Sequence, residues 1–275
     1  MVNELEIGVI GGGIGGLAVA TACAQRGAKV MLYERGDAIR AVGAGLQISP
    51  NGLCVLRALG LEQALSEFSS QGQAVSLRRA EDDKEVARLD LSLLPEMQKY
   101  HFVHRGDLIG LLQNAAQDAG VQICLSHAAV QIEDGARSRV TFANGVEIEA
   151  DLVIDAGGLH SKLRGVLNGD ELPFFTGQVA WRAIIPNESD RVDDVRVHMA
   201  SKKHIVSYPI WSGSALNIVA VQERKAWAEE GWSHNDDPDN LRAAFAKAGP
   251  DVQAMLDQVE DVSIWGLFRH PVAKR

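Results

Sequence analysis

The chain has 275 residues, 46% of them apolar and 23% charged, which suits one large soluble domain or two modest ones. A net charge of −9 with no basic cluster argues against a nucleic-acid partner, since neutralising phosphates needs a basic surface. Cys23, Cys54 and Cys124 are scattered without a C-x-x-C pair, so free thiols in a reducing cytoplasm are expected rather than a disulfide framework. No apolar run reaches membrane-spanning length, and Glu4 and Glu6 stand where a secretory leader carries Lys or Arg.

Glu4 to Ile10 reads as a strand, Gly13 to Arg26 as a helix and Lys29 to Glu34 as a second strand. Between the first two lies G-x-G-x-x-G at Gly11, Gly13 and Gly16. Gly11 permits the tight turn, Gly13 lets backbone approach a pyrophosphate, and Gly16 brings the helix close to the strand. Ile14 and Gly15 open the helix, where free N–H groups and the positive dipole end favour an anion. Glu34, 23 residues after Gly11, can accept hydrogen bonds from both hydroxyls of a ribose.

A glycine-rich loop follows at Gly43 to Ile48, then a helix opening at Pro50, a favoured first position. Val75 to Leu89 turns strand-like. Arg105 to Ala119 reads as a helix with Leu108, Leu111, Leu112 and Ala115 on one face. Val121 to Leu125 is a short strand, Asn144-Gly145 marks a hairpin turn, and Asp151 to Asp155 reads as a buried strand. From Val179 the period is mainly two, over 179–186, 195–199, 204–210 and 216–222, before a helix at Pro238 to Lys247. This order predicts an α/β fold: a Rossmann-like nucleotide-binding domain with an inserted, mainly antiparallel β-sheet substrate domain. Its boundaries fall at 1–72 and 100–172 for the first, with 262–275 starting its return, and at 73–99 and 173–261 for the second. The histidines form no ligand spacing, so no metal is expected.

Several runs together resemble the class A FAD-dependent aromatic monooxygenases, particularly the salicylate hydroxylase and 6-hydroxynicotinate 3-monooxygenase branch. They are Gly11 to Glu34, Gly43-Ala-Gly-Leu-Gln47 with Pro50-Asn51, His104-Arg-Gly-Asp-Leu108, Asp151 to Arg164, and Gly177-Gln-Val-Ala-Trp-Arg182. The resemblance implies FAD as resident cofactor and NADH or NADPH as transient reductant. It also implies O2 and a small aromatic acid or phenol as substrates, hydroxylated through a flavin hydroperoxide. By the same resemblance Glu34 binds the adenosine ribose with Arg35 beside it. Arg105 contacts the ribityl or phosphate region, Gly45 passes the isoalloxazine ring, and Gln47 faces substrate unless the loop is an ordinary connection.

A phenol substrate needs a base, and a histidine suits that task near neutrality. His204 is the candidate; Tyr208, four residues on, shares its strand face. The alternative puts His204 on the outer sheet face beside Lys202 and Lys203. Arg182 binds a substrate carboxylate or, equally, forms a structural ion pair. Two departures from the family pattern stand out. Gly157 occupies the position of a family aspartate that handles FAD and NAD(P)H, and Asp155 occupies that of a glycine. The chain also stops at Arg275, before the family's Gly-Asp motif, which suggests a truncated or inactive member, or one completed by a second copy or another chain. An exposed sheet edge and apolar patch are then expected. A NAD-dependent dehydrogenase is the third reading.

Overall fold

Strands Glu6–Ile10, Lys29–Tyr33, Gln122–Cys124 and Leu152–Asp155 form a four-stranded sheet in the order 152–155, 6–10, 29–33, 122–124, every pairing parallel. The computed structural model describes residues 2–40, 43–169, 171–188, 194–224 and 234–272. It divides into one unit of Met1–Ala41, Gly106–Phe174 and Arg269–Arg275, and another of Val42–Arg105 and Phe175–Phe268. In the first unit, helix Ile14–Ala24 connects the first two strands and buries Leu17 and Ala20. Parallel neighbours need such a crossover. Helix Arg105–Asp118 buries Leu108, Ile109, Leu112 and Ala116, a stripe turned slightly from the expected one, with Leu111 and Ala115 only half-buried.

Two expectations are corrected in this unit. Leu152–Asp155 is not a buried strand: it lies at the sheet edge, Leu152 is exposed, and among the described residues no strand pairs with its outer side. Beyond it Val166, Leu172, Phe174 and Val272 are exposed as well. The Asn144-Gly145 hairpin forms, but only Gly145 takes a positive φ (83°), so the loop is not the two-residue turn with both central residues left-handed. Instead Gly145 N–H donates to Phe142 O, and Asn144 Oδ1 accepts from Val146 N–H. Strands Ala129–Glu133, Ser138–Phe142 and Glu147–Ala150 make this meander, which buries Val140 and Phe142 against Ile10, Tyr33 and Leu163.

The second unit carries an eight-stranded sheet. Its order is His234–Asp236, Val262–Arg269, Phe174–Pro186, Ala215–Glu223, Lys203–Ile210, Asp194–Ala200, Ala74–Arg79, Glu85–Asp90. It is mainly antiparallel, with 194–200 and 74–79 parallel. Helices Pro238–Ala244 and Pro250–Asp257 cover one face, burying Leu241, Phe245, Val252 and Leu256 on Val179, Trp181, Ile205 and Ile218. The second helix was not foreseen, although Gly249-Pro250 is a serviceable helix start. Side chains alternate across a strand, so the register puts Arg182, Val219, Asn217, His204, Val206 and Tyr208 together on the other face. There Tyr208 packs on Phe102, at 5.4 Å between ring centroids. Phe102 belongs to a smaller antiparallel sheet of Gly45–Ile48, Tyr100–His104 and Ser70–Gly72.

Candidate functional site

Each unit contributes its own set of functional side chains. In the first, Gly11 turns at φ +107°, a conformation that only glycine adopts without strain. Gly16 lies so close to the preceding strand that a Cβ there would overlap Gly11 O. A Cβ at Gly13 or Gly15, by contrast, would meet nothing within 4 Å. The helix begins at Ile14 without a side-chain cap, so its first N–H groups face the space left over these glycines. Those are the features a pyrophosphate requires, and FAD fits them.

Glu34 closes the cradle. Its Oε2 accepts from Gly12 N–H at 2.6 Å and its Oε1 from Gly36 N–H at 2.8 Å. Each oxygen keeps a further lone pair for a ribose hydroxyl. Arg35 is exposed and lines, with Glu34, His127, Val130, Gly157 and Lys162, a recess of about 150 Å3. Asp155 is turned inward to its own loop: Oδ1 accepts from Gly157 N–H at 2.9 Å and Oδ2 from the Ser161 hydroxyl at 2.6 Å.

In the second unit the glycine-rich loop lies against Arg105. Arg105 N–H donates to Ala44 O at 3.1 Å, and a Cβ on Gly43 would stand 2.9 Å from Arg105 Cδ. Burial lowers the pKa of the Arg105 guanidinium, which nevertheless stays cationic at neutral pH. Tyr208 is buried, and desolvation pushes its phenol well above the usual range, an effect only partly offset by the Arg182 cation. Arg182 sits 4.2 Å over the Trp265 ring. Its pKa is lowered mainly by burial; Tyr208 opposes that shift and Arg105 adds to it. A recess of about 350 Å3 opens beside it, lined by Gly43, Ala44, Arg182, Ile184, Asp261 and Trp265.

The structure thus gathers Gly43 to Gly45, Arg105, Arg182 and Tyr208. His204 is half-buried in a different recess of about 390 Å3, with Met199, Lys202, Lys203, Val221 and Glu223. Burial lowers its pKa, leaving the imidazole neutral at physiological pH. Its Cα lies roughly 13 Å along the strand from that of Tyr208, on the same face. Gln47 is exposed on the strand paired with Phe102. Trp265 and Asn217 were missed at the sequence level. An amide inside the apolar run Ala215 to Val221 was the available signal for Asn217. On the helix-covered face, His198 approaches Asp83 at 3.4 Å with Asp251 nearby, but Arg196 and Arg78 lie 3.5 and 3.7 Å from the Asp251 carboxylate. That cluster is a charge network tying the helix to the sheet.

A glycine cradle ending in a carboxylate in the first unit marks a dinucleotide-binding protein, and the second unit separately offers tyrosine and arginine beside a second glycine loop. The sequence model of the FAD binding domain family matches residues 4–274. The chain is 33% identical to 3-amino-4-hydroxybenzoate 2-monooxygenase PtmB3 of Streptomyces platensis, over 97% of this chain and 68% of that protein. It is also 33% identical to 6-hydroxynicotinate 3-monooxygenase of Bordetella bronchiseptica, over 98% and 72%. Among solved structures, HpxO of Klebsiella pneumoniae complexed with FAD and uric acid superposes with a TM-score of 0.84 at 22% identity, covering 98% of this chain and 69% of that one. A salicylate hydroxylase substrate complex gives 0.79 at 22% identity, covering 98% and 69%. The chain belongs to the FAD binding domain family and, within it, to the class A FAD-dependent aromatic monooxygenases. FAD is its cofactor. No described helix is long and apolar enough to cross a membrane.

Proposed function

We propose that this protein hydroxylates a small aromatic acid bearing an ionisable ring substituent, with NADH or NADPH as reductant, in a reducing cytoplasm. The observation that carries the substrate class is Arg182: a half-buried guanidinium stacked on Trp265, opening onto a recess beside Gly43 and Ala44. A partly desolvated guanidinium next to an aromatic wall suits a flat ring with a carboxylate, because charge and ring are recognised together. The named substrates of the two relatives, 3-amino-4-hydroxybenzoate and 6-hydroxynicotinate, are such acids.

Bound FAD supplies the activation of dioxygen; the chain supplies binding, orientation and proton handling. Gly11, Gly13, Ile14, Gly15 and Gly16 would hold the pyrophosphate, and Glu34, with Arg35 alongside, the ribose. Asp155 and Gly157 shape the adjoining loop rather than offering a carboxylate. Gly45 and Arg105 would face the flavin end, and Gln47 the substrate. Tyr208, held protonated by burial, is a hydrogen-bond donor rather than an anion. His204, held neutral by burial, stands in a separate open recess, so it would take up the substrate's proton through an intervening relay and pass it to solvent.

The test is an FAD titration of the purified chain followed by NADH and NADPH oxidation with salicylate, 6-hydroxynicotinate and 3-amino-4-hydroxybenzoate. Stimulated oxidation with hydroxylated product for at least one acid is expected. Tight FAD binding with no stimulation by any acid, while uncharged phenols do stimulate, would overturn the assignment of substrate class.

A further inference from the structure

The loop Gly43 to Gly45 is pinned at each of its three residues from within the second unit. His104 Nε2 donates to Gly43 O at 3.0 Å, Arg105 N–H donates to Ala44 O at 3.1 Å, and Asn217 Oδ1 accepts from Gly45 N–H at 2.7 Å. The first pin comes from the end of the loop's own sheet partner, strand Tyr100–His104, and the second from the residue that follows it. The third comes from the middle of strand Ala215–Glu223, where Asn217 is paired in register with Tyr208.

Asn217 is an expensive choice for that position. Asparagine is disfavoured in strands, and this strand is flanked on both sides. The side chain is fully buried, yet its Nδ2 has no hydrogen-bond partner among the described residues. An apolar residue would fill the same space without stranding a donor. The neighbouring choices agree with a dedicated contact. A Cβ on Gly45 would stand 2.8 Å from both Asn217 Cγ and Tyr208 Cε2, so only glycine lets the loop come this close. At the outer pin, the His104 ring is braced by Trp211, 5.1 Å away between centroids, a bulky residue held at φ +51°. Left-handed backbone at such a residue is strain that persists only where the surroundings over-determine it.

We propose that Asn217 is a positioning residue: it locks the flavin-facing glycine loop to strand Ala215–Glu223, which is paired with the strand that carries Tyr208 and His204. The spacing between loop and substrate-facing strand then does not relax when ligands exchange. This rests on the reading that the Gly43 to Gln47 loop faces the flavin.

Hydrogen exchange of the Gly45 amide tests the lock without any cofactor. In Asn217→Leu, protection at Gly45 should fall about tenfold, while protection across Glu6–Ile10 is unchanged. Asn217→Asp keeps an acceptor oxygen and should restore that protection even where the melting temperature stays depressed. With FAD added, the Leu variant should also show a shifted visible spectrum and flavin emission, and the Asp variant should not. Unchanged exchange at Gly45 in the Leu variant overturns the proposal. So does equal loss in the Leu and Asp variants, which marks a merely structural contact. If the Leu variant fails to fold, Gly45→Ala, which wedges the same contact from the other side, takes its place with the same readout. Exchange that responds as expected while the flavin signals do not refutes only the underlying reading of the loop.

Discussion

Glu34→Gln is the most discriminating test of the cradle, because it changes one atom and spares the shape. In the structure both carboxylate oxygens are held by backbone N–H groups, Gly12 at 2.6 Å and Gly36 at 2.8 Å. Glutamine keeps one acceptor oxygen and turns an NH2 toward the other N–H, so one amide donor faces another donor. The ribose hydroxyl on that side loses a charged acceptor at the same time. A hydrogen bond to a charged group contributes about 1.5–3 kcal/mol, against roughly half that for a neutral one. A net loss of about 2 kcal/mol corresponds to roughly thirtyfold in Kd for FAD. Quenching of flavin fluorescence at fixed ionic strength measures it, with Glu34→Asp as a control that keeps the charge but retracts it by one methylene. A Kd within twofold of the parent refutes the ribose contact. A lowered melting temperature with unchanged Kd shows that Glu34 only staples Gly12 to Gly36.

Other outcomes follow from the same geometry. Gly16→Ala places a methyl group on Gly11 O, so the chain should lose its cooperative melt or its FAD binding; a normal melt with normal affinity contradicts the close packing. Gly157→Asp alone crowds Asp155 Oδ1 and Ser161, each 3.0 Å from the added Cβ, and should weaken FAD binding, whereas Asp155→Gly with Gly157→Asp should recover it; equal weakening in both refutes the exchange of roles. Arg182→Leu should raise KM for carboxylated substrates by roughly 10–100-fold, the loss of about 1.5–3 kcal/mol, and leave uncharged phenols nearly unaffected; equal effects on both classes would remove it from carboxylate recognition. Burial holds His101 and His204 below the ordinary 6.5, so the unfolded chain takes up protons that the folded chain resists. Their stabilisation is complete above about pH 6.5 and is lost as pH falls through their folded pKa values. The urea midpoint should therefore drop between pH 7.5 and 5.5, and less so in His101→Gln; a midpoint that rises contradicts the sign.

The first strand, helix and second strand were legible because three local signals coincide there: a short apolar run, glycines at the turn and an acid at the strand end. The strands after Val179 were legible from their period alone. What the sequence misjudged depends on neighbours remote along the chain. Leu152-Val-Ile154 has the composition of a buried parallel strand, but burial is set by what lies on either side of the sheet, and that strand is at the edge. Asn144-Gly145 marks a turn correctly while leaving its type to the pairing of Phe142 with Val146. The same limit applies to the site. Glu34 and the glycines carry their roles in their spacing. Asn217 and Trp265 acquire theirs only when strands distant in sequence bring Gly45 and Arg182 beside them.

At Asp155 and Gly157 the loop is built with its carboxylate two residues before the glycine rather than on it. A carboxylate at 157 would project from the loop, whereas Asp155 reaches forward two residues and ties down Gly157 N–H and the Ser161 hydroxyl. Satisfying those donors locally removes the need for a side chain at 157, and the space there is already taken: Asp155 and Ser161 would crowd any Cβ. The two positions are therefore coupled. Gly158 continues the loop at φ +72°, so Gly157 and Gly158 carry the chain past the Gly11 turn as bare backbone. The Asp155 carboxylate is engaged in holding that backbone in place, so the loop presents peptide rather than a free carboxylate.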